Sequence, residues 1–342
     1  MIITKTPFRM SFFGGGTDME NYFRKYGGAV LSTTFDKYCY VNVRHLPRFF
    51  DYSTELSYSK IERVTNIDDI QHPAIRNAMK MLDMYEIRLT YEADLPARSG
   101  LGTSSSFAVG MLNAFYALKG KYVDKRKLAD EAIYLERILC NETGGWQDQI
   151  AAAFGGMNRI EFNKDGTYDV RPIIIHPERK QQLNENLLMF FTGFTRFSSD
   201  MQRANAIGYA EKIKQLQEMY ALVDDAEAVL EDKKCDLDEF GRLLDKTWRL
   251  KRQTGGAITT DSIDFLYEKG MAAGAIGGKL LGAGGGGFLV FYVQPENKES
   301  VMKTMKDLLY VPFKFEDSGT QVIHFSPEMF EPKGKSINER IH

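Results

Sequence analysis

Hydrophobic and polar positions change period several times along the chain. Residues 1–13 are extended and apolar and lead into Gly14-Gly15-Gly16-Thr17-Asp18. Residues 28–46 are β-branched and aromatic (Val30, Thr33, Thr34, Phe35, Tyr38, Tyr40, Val41, Val43) and predict strands. Residues 73–84 fit a helix, and Ile87, Leu89 and Tyr91 then alternate as a strand. Helical spacing returns at Phe107, Met111, Phe115 and Leu118, and again from about Lys127 to Cys140. In that second helix Leu128, Ala132, Leu135 and Leu139 form the expected buried stripe, with Glu136 one residue off its border. Asp148 opens a short helix of small residues (Ala151, Ala152, Ala153) that Gly155-Gly156 closes.

The second half follows the same logic. Residues 157–175 alternate as strands around a turn at Lys164-Asp165-Gly166. Residues 177–186 are polar and are expected to cross between domains, after which Leu187 to Phe191 restart a sheet. Long amphipathic helices are predicted at 202–232 and 237–253, the first marked by Ile213, Leu216, Met219, Val223 and Leu230. A shorter helix at 261–273 precedes a glycine-dense stretch that runs into the apolar strand Phe288 to Val293. A helix at 297–309 and strands near 311–316 and 321–325 complete the pattern. The tail from Glu331 is polar and is expected to be disordered.

Composition narrows the function class. At 342 residues, with 43% hydrophobic and 26% charged residues, the chain can build one large or two ordinary globular domains. A net charge of −2 gives no electrostatic case for nucleic acid or an anionic membrane as partner. No apolar run is long enough to span a bilayer, and the N-terminus lacks the order of a secretory signal. Cys39, Cys140 and Cys235 are scattered and odd in number, which argues against a disulfide scaffold, and there is no C-x-x-C or H-E-x-x-H metal spacing. These features together predict a cytoplasmic protein.

The chemistry concentrates in glycine. Leu95 to Ser106 reads LPARSGLGTSSS: a strand before it, Pro96 breaking regularity, Gly100 and Gly102 opening the backbone, and four hydroxyl residues at a helix start. Amide N–H groups at a helix N-terminus favour an anion, and the hydroxyls can cap the helix, bind phosphate oxygens or hold a cation. The plain alternative is a serine-capped helix after a turn. No G-x-x-x-x-G-K-[ST] occurs. The triple glycine before Asp18 lets backbone approach a ligand closely, although a turn capped by an aspartate would look the same. Asp148 can be a positioned acid or a helix cap. Gly282, Gly284 and Gly287 match G-x-G-x-x-G, but a strand follows where a dinucleotide-binding turn needs a helix.

Three stretches in this order, PFRMSFFGGGTD (Pro7 to Asp18), LPARSGLGTSSS and KLLGAGGGGF (Lys279 to Phe288), resemble the motifs of the GHMP kinases. The GGGTD and GGWQDQ forms are most similar to the bacterial D-glycero-D-manno-heptose 7-phosphate kinases. The resemblance implies an α+β fold of two parts with the active site between them: a ribosomal-protein-like domain over 1–185 and a ferredoxin-like domain over 186–330. It implies ATP and Mg2+ as cofactors and a sugar phosphate as substrate, with no nucleic-acid or membrane partner. Pro96, Ser99, Gly100, Leu101, Gly102, Thr103, Ser104, Ser105 and Ser106 would bind ATP. Ser104 and Glu136 would hold the metal, with Thr103 standing where the family usually has serine. Asp148 would be the catalytic acid–base residue, paired with Arg9. Gly15, Gly16, Thr17, Asp18, Gly145, Gly284 and Gly285 would line the sugar site. Arg44, Arg48, Arg98, Arg196 and Arg252 are the candidates for an acceptor phosphate. The implied role is activation of a heptose for surface glycans; a fucose or hexose 1-kinase and a silent sugar sensor are the alternatives.

Overall fold

The computed structural model describes residues 1–47, 49–97, 99–193, 213–255, 258–282 and 284–327. The chain begins with a long antiparallel pair, β1 (Ile2–Phe13) and β2 (Gly28–His45), joined by the triple-glycine turn and a short helix, α1 (Glu20–Tyr26). The register of this pair slips between Pro7 and Phe8, where β2 carries extra residues. A bulge of this kind bends a strand and re-aims its side chains, and Arg9 is the second residue after the slip. The pair grows into a large sheet with β3 (Thr54–Ser57), β4 (Ile61–Val64), β5 (Ile87–Ala93), β6 (Asn158–Phe162) and β7 (Tyr168–Pro172). Pairing among these strands is antiparallel except for β3 beside β5.

Helices cover one face: α2 (Pro73–Met81), α3 (Thr103–Leu118), α4 (Lys125–Ile133) and α5 (Gln147–Phe154). Helix α3 is apolar on nearly every side. Only Ser104 and Asn113 of its 16 residues escape burial, because it is packed between the sheet, α4 and α5. Gly110 allows the closest approach: a Cβ there would sit 2.6 Å from Thr6 Oγ1. One apolar core fills the space between this helix layer and the sheet.

A polar helix, α6 (Pro177–Glu185), leads to a second, antiparallel sheet ordered β11 (Leu309–Tyr310), β8 (Leu187–Phe191), β10 (Phe288–Val293), β9 (Ala275–Leu280). Helices α7 (Ile213–Glu231), α8 (Asp238–Arg252), α9 (Asp261–Ala272) and α10 (Lys298–Thr304) belong to this half. A second core joins the two halves: Phe8, Met10, Phe12 and Phe13 of β1 meet α7, α8 and β10. The third, around Trp248, Tyr267 and Phe291, lies on the far side of the second sheet. The architecture is α+β, as expected.

Several elements differ from the sequence reading. The crossing segment 177–186 is a helix begun by Pro177; it looks polar because Leu183 is its one buried residue. The helix expected to run to Cys140 changes at Tyr134 into a π-helical turn, Tyr134–Leu139, closed by Cys140 N–H donating to Leu135 O. The wider turn rotates Leu139 out to 36% exposure and Glu136 in to 1%. Of the strand expected near 311–316 only β12 (Phe315–Glu316) forms, pairing with β2 in the first sheet, while the helix expected over 297–309 ends at Thr304 and β11 follows it into the second sheet. The final strand, β13 (Gln321–Phe325), pairs with β1, so the chain's end returns to the first sheet. Residues 202–212 of the expected long helix and the polar tail lie outside the described residues.

Candidate active site

Arg9 and Asp148 form the centre. Arg9 Nε donates to Asp148 Oδ1 at 2.7 Å and Nη2 to Oδ2 at 2.9 Å, a two-point pair that fixes both side chains. Arg9 Nη1 donates to Gly100 O at 2.7 Å, and the Arg9 amide to Leu101 O at 3.1 Å. One buried guanidinium thus ties β1, the start of α5 and the glycine loop before α3 together. The Arg9 side chain is 6% exposed and that of Asp148 is 25%, so the carboxylate keeps an open edge.

The glycine loop meets α3 as an anion site. Gly102 is the residue capping α3, with φ +72, and no side chain caps the helix. The serine-capped alternative is therefore excluded, and the N-terminal end of a 16-residue helix, which favours an anion, stands at the glycine loop. A Cβ on Gly102 would touch Arg9 and Asp148. The hydroxyls divide their roles. Ser104 is exposed and donates to Glu136 Oε1 at 2.9 Å; the buried Ser105 donates to Oε2 at 2.7 Å. Thr103 is buried. Ser106 turns inward onto Pro7 O at 2.9 Å and its amide is spent within the helix, so it offers a ligand nothing. Ser99 is fully buried with an Oγ that has no partner among the described residues. Leu101 is fully buried and Pro96 lies exposed at the loop's outer end.

Glu136 is held within the π turn with Ser104, Ser105 and Gln149 Nε2 all donating to it. Among the described residues no cation pairs with it, although a buried carboxylate needs one or strong hydrogen bonds. A carboxylate and an adjacent exposed hydroxyl are hard oxygen donors, so the pair fits Mg2+ shared with a nucleotide. The described residues contain no cluster of three His, Cys, Asp or Glu side chains that would hold a metal alone.

On the other side of Asp148 is Asp18. It is 3% exposed and accepts from Gly16 N at 2.9 Å and Gln147 N at 3.3 Å. Burial, with the charge of Asp148, holds its carboxyl above the usual carboxylate range against the pull of those hydrogen bonds. Gly145 packs directly on it: a Cβ there would stand 1.8 Å from Asp18 Oδ2. Gly15 and Gly16 form the turn beside it. Thr17 differs from expectation, since its hydroxyl lies within hydrogen-bond distance of Gly14 O (2.7 Å) and Ala29 O (2.9 Å) and so pins the turn to β2 instead of facing a ligand.

The third glycine stretch closes against the second. A Cβ on Gly282 would lie 2.2 Å from Gly100 Cα, and one on Gly287 2.2 Å from Ser99 O. The expected pair, Gly284 and Gly285, faces elsewhere: Gly284 packs on Ile258 O and Gly285 N–H donates to the same carbonyl at 3.0 Å.

Two lysines complete the site without having been singled out in the sequence. Lys279 of β9 is 2% exposed and donates to Ser11 O at 2.9 Å and Phe12 O at 2.7 Å. Desolvation, aided by Lys251 and Arg9, holds its pKa well below the usual lysine range. Lys251 of α8 donates to Gly282 O. Lys251 keeps some exposed surface, but its ammonium end is deep: desolvation, with the charge of Arg9, pushes its pKa down to about 8 against the pull of Asp18. The signal for Lys251 was available, since it continues the buried stripe Phe240, Leu244, Thr247. Of the expected arginines, the two among the described residues do not converge here. Arg252, next to Lys251, is paired with Asp264 at 3.0 Å. Arg44 is ten residues along β2 from Thr34, the partner of Arg9, which is on the order of 30 Å of strand. Arg48, Arg98 and Arg196 lie outside the described residues.

The sequence profile described as "GHMP kinases N terminal domain" matches residues 70–156, and "GHMP kinases C terminal" matches residues 225–310. A D-glycero-alpha-D-manno-heptose 7-phosphate kinase from Campylobacter jejuni is 31% identical over 335 residues, covering 94% of this chain and 98% of the relative. An L-fucokinase/L-fucose-1-P guanylyltransferase of Bacteroides fragilis is 24% identical over 93% of this chain but only 38% of its own length. Among solved structures, a D-glycero-D-manno-heptose 1-phosphate kinase from Bacteroides thetaiotaomicron superposes with a TM-score of 0.77 at 25% identity, covering 95% of this chain and all of that one. The galactose complex of Lactococcus lactis galactokinase shares the fold at 17% identity (TM-score 0.68, 94% of each chain). The chain belongs to the GHMP kinases and is a phosphotransferase of that family.

Proposed function

We propose that this kinase transfers the terminal phosphoryl group of ATP to the anomeric hydroxyl of D-glycero-D-manno-heptose 7-phosphate, giving the 1,7-bisphosphate. The observation that carries the chemistry is the Arg9–Asp148 pair seated on the glycine loop. Transfer of a phosphoryl group passes through a loose, highly charged state, so catalysis is mostly positioning and charge stabilisation. The amides at the start of α3 bind the nucleotide phosphates, with Gly100, Gly102 and Ser104 shaping the loop. Glu136 and Ser104 would hold Mg2+, which when bound would supply charge neutralisation at those phosphates.

Asp148 accepts the acceptor's hydroxyl proton through its open edge while Arg9 fixes its orientation. Asp18 receives a sugar hydroxyl, and the walls at Gly16 and Gly145 set its position. The contact set we propose therefore keeps Asp18, Gly15, Gly16 and Gly145 and leaves out Thr17 and Ser106, whose hydroxyls are committed within the fold. Two names among the relatives place the heptose phosphate at different carbons. The full-length similarity to the heptose 7-phosphate kinase supports the 7-phosphate as acceptor. We assign residues 1–185 and 186–330 to the two parts, with β12 and β13 returning to the first sheet. No helix among the described residues is long and apolar enough to cross a membrane, and we place the enzyme in the cytoplasm, serving surface glycan synthesis. Incubation with ATP and a panel of heptose and hexose phosphates tests the reading: phosphorylation confined to fucose or an unphosphorylated hexose contradicts it.

A further inference from the structure

We propose that Lys251 grips the phosphoryl group in transfer, which makes it a further protein cation of the reaction centre beside Arg9. The inference rests on the kinase reading above. Lysine has three N–H donors. Among the described residues Lys251 gives one to Gly282 O and the others meet no acceptor. That single bond is informative about place. Gly282 packs on Gly100, and Gly100 O receives Arg9 Nη1, so the Lys251 ammonium stands where the third glycine stretch closes on the nucleotide loop. Arg9 and Asp18 both act electrostatically on it. It therefore lies among the groups that flank the reacting atoms.

An acceptor's own 7-phosphate is a poorer candidate partner. With the anomeric hydroxyl at Asp148, a substituent on carbon 7 is carried to the far end of the sugar, away from Arg9. Lys279 is not an equivalent grip, because two of its donors are spent on Ser11 O and Phe12 O and it is buried behind β1. Lys251 has two donors to give, Lys279 at most one. Burial also favours the role: an ammonium held in a desolvated site with a cation beside it gains more from an arriving anion than one in water does.

The test compares two nucleotides in the full-length enzyme with Mg2+ and no acceptor present. Affinities for ADP and for a non-hydrolysable ATP analogue are measured by calorimetry in wild type, Lys251→Met and Lys251→Arg. Loss of a charged hydrogen bond corresponds to roughly a ten- to hundred-fold loss of affinity. We expect that loss for the ATP analogue in Lys251→Met, with ADP binding nearly unchanged and partial recovery in Lys251→Arg. Unchanged ADP affinity also shows that the variant is folded. Equal loss for both nucleotides means that Lys251 only supports the loop, and this overturns the proposal. Full analogue affinity with a raised KM for the sugar assigns Lys251 to the acceptor and overturns it too. Because no acceptor enters the first measurement, an error in the choice of sugar leaves the result readable.

Discussion

Replacing Gly145 with alanine is the most local test of how the acceptor site is built. The backbone at Gly145 is not in the left-handed region, so alanine introduces no torsional strain. Its effect is steric. The new Cβ would stand 1.8 Å from Asp18 Oδ2 and 2.3 Å from Asp18 Cγ, whereas such contacts do not close below 3.0 Å. Asp18 cannot retreat freely, since Gly16 N and Gln147 N hold its two oxygens. The carboxylate or the turn carrying Gly145 must therefore move by about 1 Å, a displacement that costs on the order of 10²-fold when it misplaces a reacting group. Steady-state kinetics with the acceptor varied at saturating ATP, then the reverse, give the readout. We expect kcat/KM for the acceptor to fall by about that factor with the KM for ATP nearly unchanged. Gly120→Ala is the control: open space surrounds that position and φ is +68, so it should cost about 1 kcal/mol of stability and no activity. A folded Gly145→Ala enzyme with wild-type kcat/KM would refute the placement of Asp18 in the acceptor site.

Other outcomes follow from the same geometry. Asp148→Asn should preserve nucleotide binding and lower kcat by at least about 10²-fold, as measured in the purified variant by single-turnover kinetics. Glu136→Gln should raise the Mg2+ concentration needed for half-maximal rate more than it raises the sugar KM, which a metal titration reads directly. Asp18 has a folded-state pKa raised above its unfolded one, so the fold takes up a proton and loses stability as pH rises from about 4 through the folded value. Asp18→Asn should therefore unfold at a higher temperature than wild type at pH 7.5, with the gap narrowing as pH is lowered; an unchanged gap across that range contradicts the buried-acid assignment.

Much of this was legible in the residues. Long strands announce themselves by β-branched runs, as at Val30 to Val43, and glycine marks the places where backbones must nearly touch. The pairing of Gly100 with Gly282 lies beyond such reading, because it depends on how two distant loops meet. The π turn at Tyr134–Leu139 was hidden for a different reason: one extra residue per turn leaves the local apolar spacing almost helical while rotating Glu136 into the core. Short strands such as Thr54–Ser57 and Ile61–Val64 offer too few positions for a period, and Ile61 is 68% exposed. Hydroxyl residues are hard to tell apart in sequence, since a serine beside a glycine loop looks the same whether it stays exposed, as Ser104 does, or turns onto a backbone carbonyl, as Ser106 does. Arginine was favoured over lysine for the anionic groups, although among the described residues a buried lysine, Lys251, stands where the glycine stretches meet beside Arg9.

Substrate choice is tested most directly by kcat/KM for D-glycero-D-manno-heptose with and without its 7-phosphate, with the position of the new phosphate fixed by 31P–1H correlation. A site built to bond a phosphate rejects the analogue that lacks it, because the cations meant for it are left without a partner. A preference of at least about 10²-fold for the 7-phosphate, with the new phosphate on carbon 1, is the expected result. Equal values for the two sugars, better turnover of fucose or galactose, or phosphate appearing on any carbon other than 1 would contradict the heptose 7-phosphate assignment.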